Sequence, residues 1–130
     1  MRLLLDTHVA IWAVGNSRRL SEGARELISD ARNEVLVSVA SLWEIAIKHA
    51  LRQSRKQMPI SAMQGETYFR AAGYDLVSVS PEHVRALEGL PQLHSDPFDR
   101  ILVAQAVHES ALLLSADAHL AGYGEMVRQV

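Results

Sequence analysis

The sequence contains no cysteine. A disulfide scaffold, a cysteine-ligated zinc site and a thiol nucleophile are therefore excluded, and a reducing cytosol is the expected compartment. No long hydrophobic run is present at the start. In MRLLLDTHVAIWAV three leucines are followed at once by Asp6, Thr7 and His8, too short and too polar a stretch for a signal peptide or a membrane span. The expectation is a cytoplasmic protein with no membrane partner. An excess of positive charge is also missing: 13 Lys and Arg against 15 Asp and Glu leave a net charge of −2. That balance argues against a nucleic-acid binder whose whole surface is basic. Acids gathered in a metal site would lower the net charge without making the binding surface acidic, so distribution decides more than the sum. No repeat, low-complexity tract or linker interrupts the 130 residues, and residues 1–130 are expected to form a single domain that buries roughly two-thirds of its unfolded surface.

Nearly half of the residues, 48%, are apolar, and their spacing alternates between two kinds of segment. Residues 2–5 (RLLL), 35–39 (VLVSV), 76–79 (LVSV) and 111–114 (ALLL) are short apolar runs expected as buried strands. Residues 7–14, 21–32, 41–52, 61–72, 81–90 and 97–110 between and after them have helical character. Ser41-Leu-Trp-Glu44 fits a capping box, Ser80-Pro81 puts proline in a first helical turn, and Asp96-Pro97-Phe98-Asp99 combines a cap, a proline and a third-position acid. The piece from Ser54 to Pro59 is the least regular and reads as a loop. Strands alternating with helices predict an α/β fold with a central, mostly parallel sheet flanked by helices.

In such a sheet, ligands bind outside the carboxyl ends of the strands. Asp6 directly follows the first expected strand and Asp117 the last. Glu44 is expected in the first turn of the helix after the second strand, and Asp96 and Asp99 in the first turn of the helix before the last. Each acid has an ordinary explanation as a helix cap or a turn residue, worth about 1 kcal/mol. Convergence on one sheet edge is what capping does not require. A hard divalent cation does require it, because Mg²⁺ takes oxygen ligands and binds a few carboxylates together with substrate phosphate.

The segments LLLDTH (3–8), SVASLWEIAIK (38–48), HSDPFDRILVAQA (94–106) and LLLSADAHLAGY (112–123) resemble, in order and spacing, the signature segments of the PIN-domain toxins called VapC. The third segment is long and unusual, and together the four span nearly the whole chain; Arg52 to Tyr74 carries no matching motif. The resemblance implies a PIN-like fold with its acidic site at the carboxyl ends of the strands. It implies a four-acid catalytic and metal site at Asp6, Glu44, Asp99 and Asp117, with Asp96 and Thr7 auxiliary. It further implies endonucleolytic cleavage of RNA, with one or two Mg²⁺ or Mn²⁺ ions activating a water for in-line attack and leaving a 5′-phosphate and a 3′-hydroxyl. A cognate antitoxin and a second copy of the chain are the implied protein partners, as in a VapBC toxin–antitoxin pair. Two rivals remain. A phosphoaspartyl hydrolase or receiver-like domain would show DxD after the first strand or a late lysine, whereas position 8 is His and no lysine follows Lys56. A non-catalytic PIN-fold module that binds RNA or a partner would be expected to have lost some of the acids.

Lys48, Arg52, Arg55 and Lys56 are spaced at i, i+4, i+7 and i+8 and would line one helical face as an RNA-backbone track; the alternative is a solvated face with a Glu44–Lys48 pair. His8 reads as a packing or hydrogen-bonding residue before a general base, and His94 and His119 follow no metal-ligand spacing. Trp12 and Trp43 fall on apolar helical faces and are expected in the core. Ala24, Leu27 and Ile28, and Met63, Tyr68 and Phe69, read as core or as surfaces for the antitoxin and a second subunit.

Overall fold

The computed structural model describes residues 1–51 and 58–130. The leucine run at the start becomes β1 (Arg2–Leu5), followed by α1 (Thr7–Val14), α2 (Glu22–Ser29), β2 (Glu34–Ser38), α3 (Val39–Ala50), α4 (Ala62–Ala71), β3 (Asp75–Val77), α5 (Pro81–Glu88), α6 (Pro97–His108) and β4 (Leu112–Ser115). A 3-10 helix (Ala118–Tyr123) and β5 (Val127–Gln129) close the chain. The sheet has the order β3-β2-β1-β4-β5, and all of its pairings are parallel.

β1 is central and buried on both faces, which is why its sequence is continuously apolar rather than alternating. Leu3 and Leu5 pack with Val35, Val37 and Leu114 against α1, α2 and α4. Leu4, Leu36 and Leu113 face the other way, onto Leu102, Val103 and Ala106 of α6. From β1 the chain builds outward through β2 to β3, then returns to lay β4 against the free side of β1. The gap between the ends of β1 and β4 is therefore the point where the winding reverses, the position at which open parallel sheets bind ligands.

Two expectations need correction. Ser41 and Glu44 do not form a capping box: α3 begins at Val39, and Ser38, the last residue of β2, is the cap, accepting the amide of Ala40 at 3.0 Å. The strand runs straight into the helix, so Glu44 lies in the second turn, buried. Trp43 is not a core residue. It is 62% exposed, because α3 turns Ala40, Ser41, Glu44 and Ile45 inward and leaves Val39, Trp43, Ile47 and Leu51 outside; Trp43 meets the ring of Phe98 edge-on, centroids 5.0 Å apart. Trp12 is half-buried and packs against the core. Of the apolar residues on α2 and α4, Ala24 and Phe69 are buried, while Met63 and Tyr68 are exposed. β5 was not anticipated: it has three residues, and Gly124 at φ 115° turns the chain into it. The caps at Ser80 and Asp96 hold as expected.

α4 is attached to the sheet chiefly through Phe69, which is fully buried and stacks on Tyr74 at 6.4 Å. Phe69→Ala should cost about 3–5 kcal/mol of stability, read from denaturant midpoints at unchanged slope. A loss of about 1 kcal/mol or less would mean that α4 is not an integral part of this core.

Candidate metal centre

The carboxyl end of β1 is tied to that of β4 before any side chain is considered. The amide of Asp6 donates to the Leu114 carbonyl at 3.0 Å, which places Asp6 beside Ser115. Ser115 then donates to Asp6 Oδ2 at 2.5 Å, while its oxygen accepts the amide of Asp117 at 3.0 Å. The other oxygen of Asp6 caps α1 by accepting the amide of Val9 at 2.8 Å. Glu44 reaches the same edge from α3. Its Oε1 accepts the hydroxyl of Thr7 at 2.5 Å, and Thr7 Oγ1 lies 2.9 Å from Ser41 Oγ. Its Oε2 is paired with Lys48, one turn along, at 2.5 Å. Asp96 caps α6 by accepting the amides of Phe98 and Asp99, and that cap points Asp99 of the first turn toward the sheet edge.

Asp6, Glu44, Asp96, Asp99 and Asp117 thus line one cleft of about 320 Å³, together with His8, Trp12, Lys48, His94 and Ala116. Within it, ligand atoms of His94, Asp99 and Asp117 lie within 4.8 Å of one another. His94 Nε2 is 2.9 Å from Asp117 Oδ2 and 3.4 Å from Asp99 Oδ2. Asp6 and Glu44 border the cleft with both oxygens held by donors of the chain. The carboxylates are hard oxygen donors from four different elements, the set that suits Mg²⁺ or Mn²⁺ rather than a thiophilic metal.

Crowding leaves an electrostatic signature. Burial, then the charges of Asp96, Glu44 and Asp6, push the pKa of Asp99 up to about 7, with His94 opposing. Asp6 is also raised, because burial outweighs its hydrogen bonds from Ser115 and the Val9 amide. Asp117 goes the other way: burial raises it, but the bonds from His94 and from the amide and ring of His119 more than offset that and hold it low. For Lys48 burial works downward, and the Glu44 carboxylate overcomes it and raises the pKa. Asp117 raises the pKa of His94, although the Asp96 amide, aimed at Nδ1 from 3.0 Å, resists a second ring proton.

The residues singled out in the sequence are therefore brought together, apart from the basic track. Lys48 is at the cleft but held by Glu44, and Arg52, Arg55 and Lys56 lie outside the described residues. His8 borders the cleft and tilts against Trp12 at 6.1 Å. Ser115 was not anticipated, Ser41 was expected as a helix cap rather than as the partner of Thr7, and His94 was set aside for want of a metal-ligand spacing. The readable hint for Ser115 was its place two residues before Asp117, where a hydroxyl can accept that residue's amide.

Asp99 gives the ion-free protein a definite pH trend. Its folded pKa of about 7 lies above the ordinary 3.8. Between those values the folded state keeps a proton that the unfolded chain has released, so this contribution is full in acid and is lost as pH rises through about 7. In EDTA, the melting temperature of the wild type should fall relative to that of Asp99→Asn between about pH 4.5 and 7.5, and Asp99→Asn should melt higher at the upper end. Parallel curves for the two proteins would refute the raised pKa.

The PIN domain family matches residues 3–125 of the chain. Ribonuclease VapC22 of Mycobacterium tuberculosis is 30% identical over 119 residues, 91% of this chain and 88% of that protein. Among solved structures, VapBC2 from Rickettsia felis, bound to a DNA fragment from its promoter, is similar in fold with a TM-score of 0.72 at 14% identity, covering 99% of this chain and 98% of that one. DNA-bound VapBC from Salmonella typhimurium is similar with a TM-score of 0.66 at 13% identity, over 99% and 98% of the two chains. With the fold, the order of its motifs and this match over nearly its whole length, the chain belongs to the PIN domain family.

Proposed function

We propose that the chain is a divalent-metal-dependent endoribonuclease acting as the toxin of a VapBC-type toxin–antitoxin pair in the cytoplasm. The observation that carries this reading is the meeting of Asp6, Glu44, Asp99 and Asp117 in one cleft at the reversal point of the sheet. The similarity to Ribonuclease VapC22 supports the reaction, and the likeness in fold to VapBC complexes supports the pairing with an antitoxin.

In this reading the four acids hold Mg²⁺ or Mn²⁺. When bound, the ion supplies Lewis-acid stabilisation of charge on the phosphodiester and lowers the pKa of the attacking water. The chain's own side chains orient the ligands: Ser115 and the Val9 amide fix Asp6, and Thr7 fixes Glu44. Asp96 is auxiliary, setting the first turn of α6. Lys48 at the cleft, together with Arg52, Arg55 and Lys56 of the sequence that follows, supplies sequence-independent attraction for the RNA backbone. The exposed stripe Val39, Trp43, Ile47 and Leu51 on α3 is the face for a second copy of the chain. The apolar groove of about 290 Å³ between Ile11, Val14, Ile60 and Tyr68 is the face for the antitoxin.

Asp6→Asn and Asp99→Asn should each abolish divalent-cation-dependent RNA cleavage and growth arrest on expression while leaving the circular dichroism spectrum intact. EDTA should silence the wild type. Melting curves at neutral pH should shift upward with Mg²⁺ or Mn²⁺, by about 2.7 kcal/mol of stability at a hundred times Kd, and less in Asp6→Asn. Cleavage by a purified Asp99→Asn protein at the wild-type rate would remove that residue from the site, and RNA binding without any cleavage by the wild type would favour a non-catalytic module.

Replacing Arg52, Arg55 and Lys56 together with Ala should weaken RNA affinity and reduce the slope of log affinity against log salt by about one for each phosphate no longer neutralised. An unchanged slope would place the RNA elsewhere.

A further inference from the structure

His94 is fixed at more points than a bordering side chain needs. Its amide donates to the hydroxyl of Tyr123 at 3.1 Å, and Tyr123 is itself buried. Its ring packs edge-on against His119, centroids 6.0 Å apart. The decisive interaction is the third: the amide of Asp96 donates to Nδ1 at 3.0 Å. A ring nitrogen that accepts a hydrogen bond carries no proton, so in the neutral ring the proton sits on Nε2. Nε2 is the atom that faces Asp117 Oδ2 at 2.9 Å and Asp99 Oδ2 at 3.4 Å.

Nitrogen ligation by Nε2 would need a lone pair there and the proton moved to Nδ1, where it would confront the Asp96 amide, donor against donor. From this geometry we infer that His94 is a positioning residue and not a ligand: its Nε2–H donates to Asp117, in the turn after β4, and so holds that carboxylate beside Asp99, in the first turn of α6. The two carboxylates are thereby held in register, and the centre, on the metal reading proposed above, presents oxygen donors alone. That matters for the choice of ion. An imidazole nitrogen in the set would favour Co²⁺, Ni²⁺ and Zn²⁺, whereas oxygens suit Mg²⁺ and Mn²⁺. The auxiliary Asp96 gains a second task, since its carboxylate caps α6 while its amide sets the ring's tautomer.

Glutamine separates the two possibilities. Its amide oxygen and nitrogen flank a single carbon, as the two imidazole nitrogens do, so it can accept from the Asp96 amide and donate to Asp117, but it cannot be a nitrogen ligand. Mg²⁺ and Mn²⁺ binding should be measured by calorimetry on the full chain for wild type, His94→Gln and His94→Ala, with electron spin-echo spectra of bound Mn²⁺ for the wild type and His94→Gln. The expected results are a drop in metal affinity of about 10–100-fold in His94→Ala, recovery to within about threefold of wild type in His94→Gln, as an intact donor requires, and no directly coordinated ¹⁴N in the wild-type spectrum. Imidazole coupling present in the wild type and absent from His94→Gln would make His94 a ligand and overturn the inference. Wild-type affinity in His94→Ala would overturn it too. A wild-type protein that binds neither ion would remove the metal reading itself and the clamp with it, an outcome distinct from the other two.

Discussion

The pairing of β1 with β4 is the constraint on which the rest of this structure depends. It joins Leu5 to Leu114, residues from opposite ends of the chain, and the contacts between Asp6, Ser115 and Asp117 follow from that register. One more backbone bond, from Asp6 to Leu114, sets Asp6 next to Ser115, and Ser115 in turn holds the amide of Asp117. The leucines that stabilise the sheet and the acids that follow them are thus parts of one device. Slippage of the strand is opposed because a shift by one residue would carry Arg2 or Asp6 into the buried place of a leucine.

The cost of that arrangement is charge crowding, and the chain meets it locally. Lys48 lies on Glu44, His94 on Asp117 and Asp99, and hydroxyls from Thr7 and Ser115 on Glu44 and Asp6. Asp99, buried beside Asp96, Glu44 and Asp6 and with His94 no nearer than 3.4 Å, is the one whose pKa climbs to about 7. Asp117 sits lower because the bonds from His94 and His119 outweigh its burial.

Much of this was legible in the sequence, for physical reasons that also explain the gaps. β1, β2 and β4 were readable because strands buried on both faces are unbroken apolar runs, and α5 and α6 because Ser80-Pro81 and Asp96-Pro97 announce helix starts chemically. The start of α3 was misplaced because Ser38 and Ser41 are equally good caps on paper; only the direct passage from strand to helix makes Ser38 the cap and frees Ser41 to meet Thr7. Trp43 was misjudged since helical periodicity shows that an apolar face exists, not how many such faces one helix carries. β5 has a single buried apolar residue, Val127, and three residues have no readable period. His94 was named but set aside because what distinguishes it is the bond from a backbone amide, and amides leave no mark on a sequence pattern.

The opposite edge of the sheet is built differently. There Arg2, at the start of β1, lies 3.3 Å from Glu34 and 3.6 Å from Glu109, and Arg32 lies 2.8 Å from Asp30. Among the described residues, each of these acids at the amino edge is paired with a guanidinium group, two of them sharing Arg2, while Asp96 and Asp6 at the carboxyl edge have no ion-pair partner. Among the described residues the charge is therefore unevenly spread, although the net charge of the chain is only −2. A small cation approaching these described residues is drawn toward the carboxyl edge. The field at the cleft thus favours a compact positive charge before any shape is matched.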